Sequence, residues 1–189
     1  MTTNALDERL RAIEDEFFYE VDLKLWKRLR ENRLRDEKRQ QLNKLMHVQD
    51  QAMLDELIEQ GIDDESIAVL LFVPLAFIAW ADGRVTDAER KTVIEIVSQY
   101  ARENSDTFVA AVKKWLDRKP NDKLWDAWEA YVQVLREKSP GCVADMITDK
   151  LFDYAQRVAE VSHSFLSFNR INAEKQQALD RLQDALKVR

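Results

Sequence analysis

The sequence predicts an all-α fold, a bundle of about seven or eight helices with a long N-terminal amphipathic helix. Three observations carry this. Glycine and proline occur three times each in 189 residues, well below the roughly 7 % and 5 % of average usage, which leaves few of the turns a β-rich chain needs. Apolar residues recur every three or four positions over most of the chain, the period of a helix that buries one face. Residues that start helices (Asp, Ser, Thr) and end them (Gly) fall between these runs.

Taken in order, residues 1–60 contain neither Gly nor Pro, so only capping signals can divide them. Leu6, Leu10, Ile13, Phe17, Val21, Leu25 and Leu29 form one helical stripe. Phe17, Phe18 and Tyr19 are consecutive and fan out around the helix, and Trp26 widens the apolar surface again. One face cannot bury them all: the helix is packed on two sides, or this surface meets a partner chain. Asp50 is placed to cap a short helix that Gly61 ends, and Asp63 or Asp64 to cap an apolar helix running to about Ala81. Pro74 should kink that helix or mark its true start. Thr86 opens a helix to about Ala101, and Ser105 or Asp106 opens one that closes before Pro120. Trp115, Trp125, Trp128 and Tyr131 accompany Val112, Leu116, Leu124 and Val132 at helical spacing, which reads as a corner of the core rather than a ligand cage. The SPG triplet at 139–141 breaks the chain before a helix from about Val143 to Phe168 and a last one from Ala173 to Lys187.

Composition excludes several classes. Gly61, Gly83 and Gly141 lie far apart, so neither a Rossmann nor a P-loop phosphate cradle can form. A net charge of −6 opposes general nucleic-acid binding, which needs a concentrated basic surface. The longest apolar run, Ile67 to Ala81, is short of the roughly 20 residues of a membrane span. Cys142 is the lone cysteine and the start MTTNALDERL has no apolar signal core, so a reducing, cytoplasmic setting is the expectation.

Charge is unevenly spread along the first forty residues. Residues 1–26 carry seven acids against three bases, and residues 27–41 seven bases against three acids. Two readings are open: a solvated helix laced by i,i+4 ion pairs, or an arm that docks on an acidic partner or makes peripheral contact with anionic lipid.

AWADGRVTDAER, Ala79–Arg90, is the most informative stretch. Gly83 supplies the left-handed turn that ends one helix, Val85 can tuck into the core, and Thr86 with Glu89 makes a capping box for the next. Asp87 in the first turn suits the helix dipole. The same letters follow the second half of a calcium EF-hand loop, but Ile78 and Trp80 stand where its first two ligands belong, which excludes a full EF-hand. Asp82, Asp87 and Glu89 can still gather as three carboxylates and hold a divalent cation weakly, calcium or manganese; capping and turn chemistry alone is the alternative.

This stretch, extended back to Leu71, resembles the helix-turn-helix signature of TerB-like domains, named for tellurite-resistance TerB proteins. The A-D-G-x-V-x-x-x-E core matches at Ala81, Asp82, Gly83, Val85 and Glu89. A looser likeness, in the Phe17–Phe18 pair, the Trp115–Pro120 corner and the Trp128–Tyr131 segment, is to larger bacterial proteins that embed such a domain. The resemblance implies an all-helical TerB-like domain over residues 50–189, with residues 1–49 as an N-terminal extension. It also implies a non-catalytic, stress-associated role, acidic metal-binding surfaces and two related helical halves. At an offset of 86 the second turn is Ser164–Lys175, with Asn169 for Gly83, Ile171 for Val85, Asn172 for Thr86 and Lys175 for Glu89. The turn logic survives there and the acids do not.

Catalytic alternatives are thin. His47 and His163 lack metal-ligand spacing, no nucleophile elbow or HExxH occurs, and an enzyme would have to rely on carboxylates such as Asp82, Asp87, Glu89 and Glu160. The expected function is a TerB-like module whose acidic turn binds a cation or a protein; the alternative is an interaction or homodimerisation module acting through Phe17, Phe18, Tyr19 and Trp26.

Overall fold

A computed structural model describes the backbone of residues 3–100, 105–138, 141–161 and 171–186, and the side chains of these residues except 3–21, 105 and 142–147. Among the described residues there are eight α-helices and no strand: α1 Thr3–Met46, α2 Gln51–Glu59, α3 Val73–Ala79, α4 Asp87–Tyr100, α5 Ser105–Asp117, α6 Asp122–Lys138, α7 Gly141–Val161 and α8 Ala173–Leu186. A 3-10 helix, Ile67–Phe72, leads into α3. The all-α bundle expected from the sequence is therefore the observed fold.

Local chemistry sets most boundaries. The Asp50 carboxylate accepts from the amides of Ala52 and Met53, satisfying two orphan donors of α2, and Gly61 turns the chain at φ +82. The apolar run does not continue as one helix from Asp63. Asp63 instead accepts from the Ser66 amide and hydroxyl and donates its own amide to the Ser66 oxygen, closing a local turn. The chain then winds as the 3-10 helix until Pro74, whose missing N–H is no loss in a first turn, starts α3. Of the two roles open to Pro74, the helix start is the observed one. The last helix runs from Ala173 as expected, and α7 starts at Gly141, earlier than Val143. Residues 162–168, expected to end α7, lie outside the described residues.

The core is centred on the 3-10 helix and α3, whose residues from Phe72 to Ala79 are all buried. Trp115, Trp125 and Trp128 are at most 1 % exposed, which places the aromatic corner in the core. Trp125 makes an edge contact with Phe77 at 5.2 Å and lies 4.8 Å from Trp128, while the Arg181 guanidinium covers its ring at 4.2 Å. Trp80, in the sequence position of an EF-hand ligand, donates its indole N–H to the Trp115 carbonyl at 2.8 Å and ties α3 to α5.

Among the described side chains, α1 joins this body at its C-terminal end. Leu42 and Met46 are fully or almost fully buried, and Arg35 and Arg39 reach Asp55 and Glu59 on α2 at 2.6–2.9 Å. Lys38 stands 3.7 Å from Asp63. Burial alone would push the Asp55 carboxyl up, but the Arg39 and Arg35 guanidinium groups prevail and hold it below the ordinary carboxylate range. α1 ends where His47, at φ +53, donates its amide to the Asn43 carbonyl.

Candidate functional site

Two features gather the residues singled out in the sequence: the turn between α3 and α4, and the free length of α1. In the turn, Gly83 adopts φ +87 with open space where a Cβ would stand, so its role is backbone conformation rather than close packing. The capping box is formed in full. The Thr86 amide and hydroxyl donate to Glu89 Oε2 at 2.7 Å each, and the Glu89 amide donates to Thr86 Oγ1 at 3.3 Å. Val85 packs on the edge of the core.

The start of α8 repeats the cap. Asn172 Oδ1 accepts from the Lys175 amide at 2.8 Å and the Asn172 carbonyl from Gln176, as Thr86 does for Glu89 and Arg90. Helices α4 and α8 have the same length and begin 86 residues apart. Thr86 and Asn172 are thus equivalent caps, and Glu89 and Lys175 equivalent third residues. Ile171, the counterpart of Val85, likewise packs on the core edge. Asn169 and His163 lie outside the described residues.

These equivalent residues meet. Lys175 Nζ is in direct contact with Glu89 Oε1 and lies 3.6 Å from Asp82 Oδ2, and both Lys175 and Glu89 side chains are 0 % exposed. Asn172 also donates to Asp82 Oδ2 at 3.4 Å. Burial pushes the Lys175 ammonium below its ordinary pKa against the opposing pull of Asp82. The turn therefore carries its own counter-ion, supplied by the other half of the chain. Asp87 is exposed in the first turn of α4 and does not join the pair. Of the acids expected to hold a cation, Asp82 and Glu89 are brought together on an ammonium, and among the described residues no group of three or more His, Cys, Asp or Glu is placed to hold a metal ion. The sequence alignment of the two turns put Lys175 opposite Glu89; that they touch follows from the way the two halves pack.

The other feature is α1. Residues 22–34 are all exposed, including Leu23, Leu25, Trp26, Leu29 and Leu34, with Trp26 at 70 %. Leu23, Trp26 and Leu29 line a shallow apolar surface edged by Lys27, Arg30 and Arg33. Of the residues expected to contact a partner, Trp26 is exposed, and the side chains of Phe17, Phe18 and Tyr19 lie outside the described residues. At 44 residues α1 is about 66 Å long, and its exposed residues 22–34 lie outside the stretch that packs on the body through Leu42 and Met46.

Comparison with known protein families, with curated proteins and with solved structures finds no match. No helix among the described residues is long and apolar enough to cross a membrane.

Proposed function

We propose that this chain is a non-catalytic interaction module, in which the helical body anchors α1 and α1 docks on a protein partner through the surface around Trp26. The observation that carries the reading is the exposure of five large apolar side chains along thirteen consecutive residues of one helix. Isolated surface leucines are ordinary, but a continuous apolar stripe with a tryptophan at its centre marks a surface that is covered in use. The firm anchoring of the C-terminal end, through Leu42, Met46 and the Arg35–Arg39–Asp55 network, supports the same reading because it fixes where the projecting length points.

The equivalent caps of α4 and α8, Thr86 and Asn172, support a TerB-like body, and a stress-associated role rests on that resemblance alone. For cation binding at the acidic turn the geometry offers less, since Lys175 already neutralises the Asp82–Glu89 pair. Photo-crosslinking tests the docking reading. A photoreactive residue at position 26 should give a covalent adduct in cells expressing the chain, and one at position 113, exposed on α5, should not. Equal labelling from both positions, or none from position 26, would remove the proposal.

A further inference from the structure

We infer that the occupant of this surface is a second copy of the chain, its α1 lying antiparallel along the first. The inference rests on the docking reading above and adds the partner's identity. Its ground is the charge pattern of α1 together with what the body leaves unused.

Residues 7–22 carry seven acids and two bases, while residues 24–33 carry five bases and a single acid, Glu31. Further along, three basic residues are taken by the body: Arg35, Lys38 and Arg39 pair with Asp55, Glu59 and Asp63. The demand of the body thus stops at Arg35. Lys27, Arg28 and Arg30 remain exposed beside Leu23, Trp26 and Leu29. A matching partner surface must be helical, apolar along one stripe and acidic, and the preceding half of α1 has that sequence.

A two-fold axis near residue 22 lays the acidic stretch of each copy alongside the basic stretch of the other. It sets residues 17–19 of one copy opposite residues 25–27 of the other, so the Phe17–Phe18–Tyr19 positions face the stretch that contains Trp26. It also sets Glu14, Glu16 and Glu20 opposite Arg30, Arg28 and Lys24. Parallel pairing would place like charge on like charge, which costs affinity. The two bodies do not collide, because their anchored segments begin at residue 35 and lie about 39 Å apart along such a pair. An anionic bilayer fits less well, since the acidic half of the same helix would meet it as like charge.

Charge exchange in the purified full-length chain tests this. Sedimentation velocity at about 0.1 M salt should find a concentration-dependent dimer for the wild type, weakened at about 1 M salt. Lys24→Glu/Arg28→Glu/Arg30→Glu and Glu14→Lys/Glu16→Lys/Glu20→Lys should each weaken self-association at least tenfold. Their equimolar mixture should form a heterodimer, and the six-fold exchanged chain should self-associate again. That recovery requires antiparallel pairing and shows that the variants fold. A wild type that stays monomeric at the highest concentration, or two triple variants that dimerise as before, overturns the inference. So does a monomeric wild type that binds phosphatidylserine vesicles. Should position 26 crosslink in cells to a different protein while the purified chain stays monomeric, this inference fails and the docking reading stands.

Discussion

Replacing Lys175 by methionine removes the counter-ion of the acidic turn while keeping most of the side-chain volume. Both Lys175 and Glu89 are fully buried, so the substitution leaves Glu89 Oε1 without its cationic partner in a site that water does not reach. Breaking a buried pair from one side costs about 3–5 kcal/mol. Here the lower end applies, because Glu89 Oε2 keeps both bonds from Thr86 and Asp82 remains 21 % exposed to water. At roughly 2–4 °C per kcal/mol for a chain of this size, a loss of about 3 kcal/mol lowers Tm by roughly 6–12 °C. Glu89→Gln in the same chain removes the orphaned charge yet keeps an acceptor for the Thr86 amide, so the double variant should recover to within about 1 kcal/mol of wild type. Urea melts of the four chains complete the cycle. If Lys175→Met lies within about 0.5 kcal/mol of wild type, or the two changes simply add, the ion pair across the two halves is not what joins them.

The same substitution should open the acidic turn to cations: in calcium or manganese titrations followed by NMR, amides of Asp82–Glu89 should shift in Lys175→Met and hold still in the wild type. Gly83→Ala should cost about 1–2 kcal/mol in thermal melts, because φ +87 strains any side chain although the space around it is open; an unchanged melt would mean the turn relaxes freely. Asp55 is held low by Arg39 and Arg35 in the folded chain, so its contribution is complete above its ordinary pKa of about 4 and is lost as pH falls through its lower folded value. Melts between about pH 6 and pH 2 should therefore destabilise the wild type more than Arg39→Met, and parallel curves would show that the network adds nothing.

What the sequence made legible was local. The Asp50 cap, the Gly61 and Gly83 turns and the Thr86–Glu89 box each depend on residues within four positions of one another, and each is found as expected. The run after Asp63 was misleading because its apolar residues suit a continuous helix, whereas the Asp63–Ser66 turn and Pro74 divide it into a 3-10 segment and α3. Lys175 was visible as the counterpart of Glu89 but read as a missing acid. Its meaning as a counter-ion depends on the packing of two halves 86 residues apart, which no local pattern encodes. The bases of the charge dipole were equally visible, while their division at Arg35, between those that reach the body and those exposed along α1, required the position of Asp55, Glu59 and Asp63. Trp26 was legible in the simplest way, as an aromatic residue too many for one buried face.

Hydrogen exchange along α1 tests the central claim most directly. Amides of residues 22–34 sit in a helix with no covering side chains, so in dilute solution they should exchange as an isolated helix does, far faster than those around Leu42 and Met46. Raising the chain concentration should slow exchange at residues 22–34 selectively, as a second helix covers them. Uniformly fast exchange there at every concentration, with α1 still anchored at Leu42, would contradict self-pairing, and slow exchange there even in dilute solution would contradict an uncovered surface around Trp26.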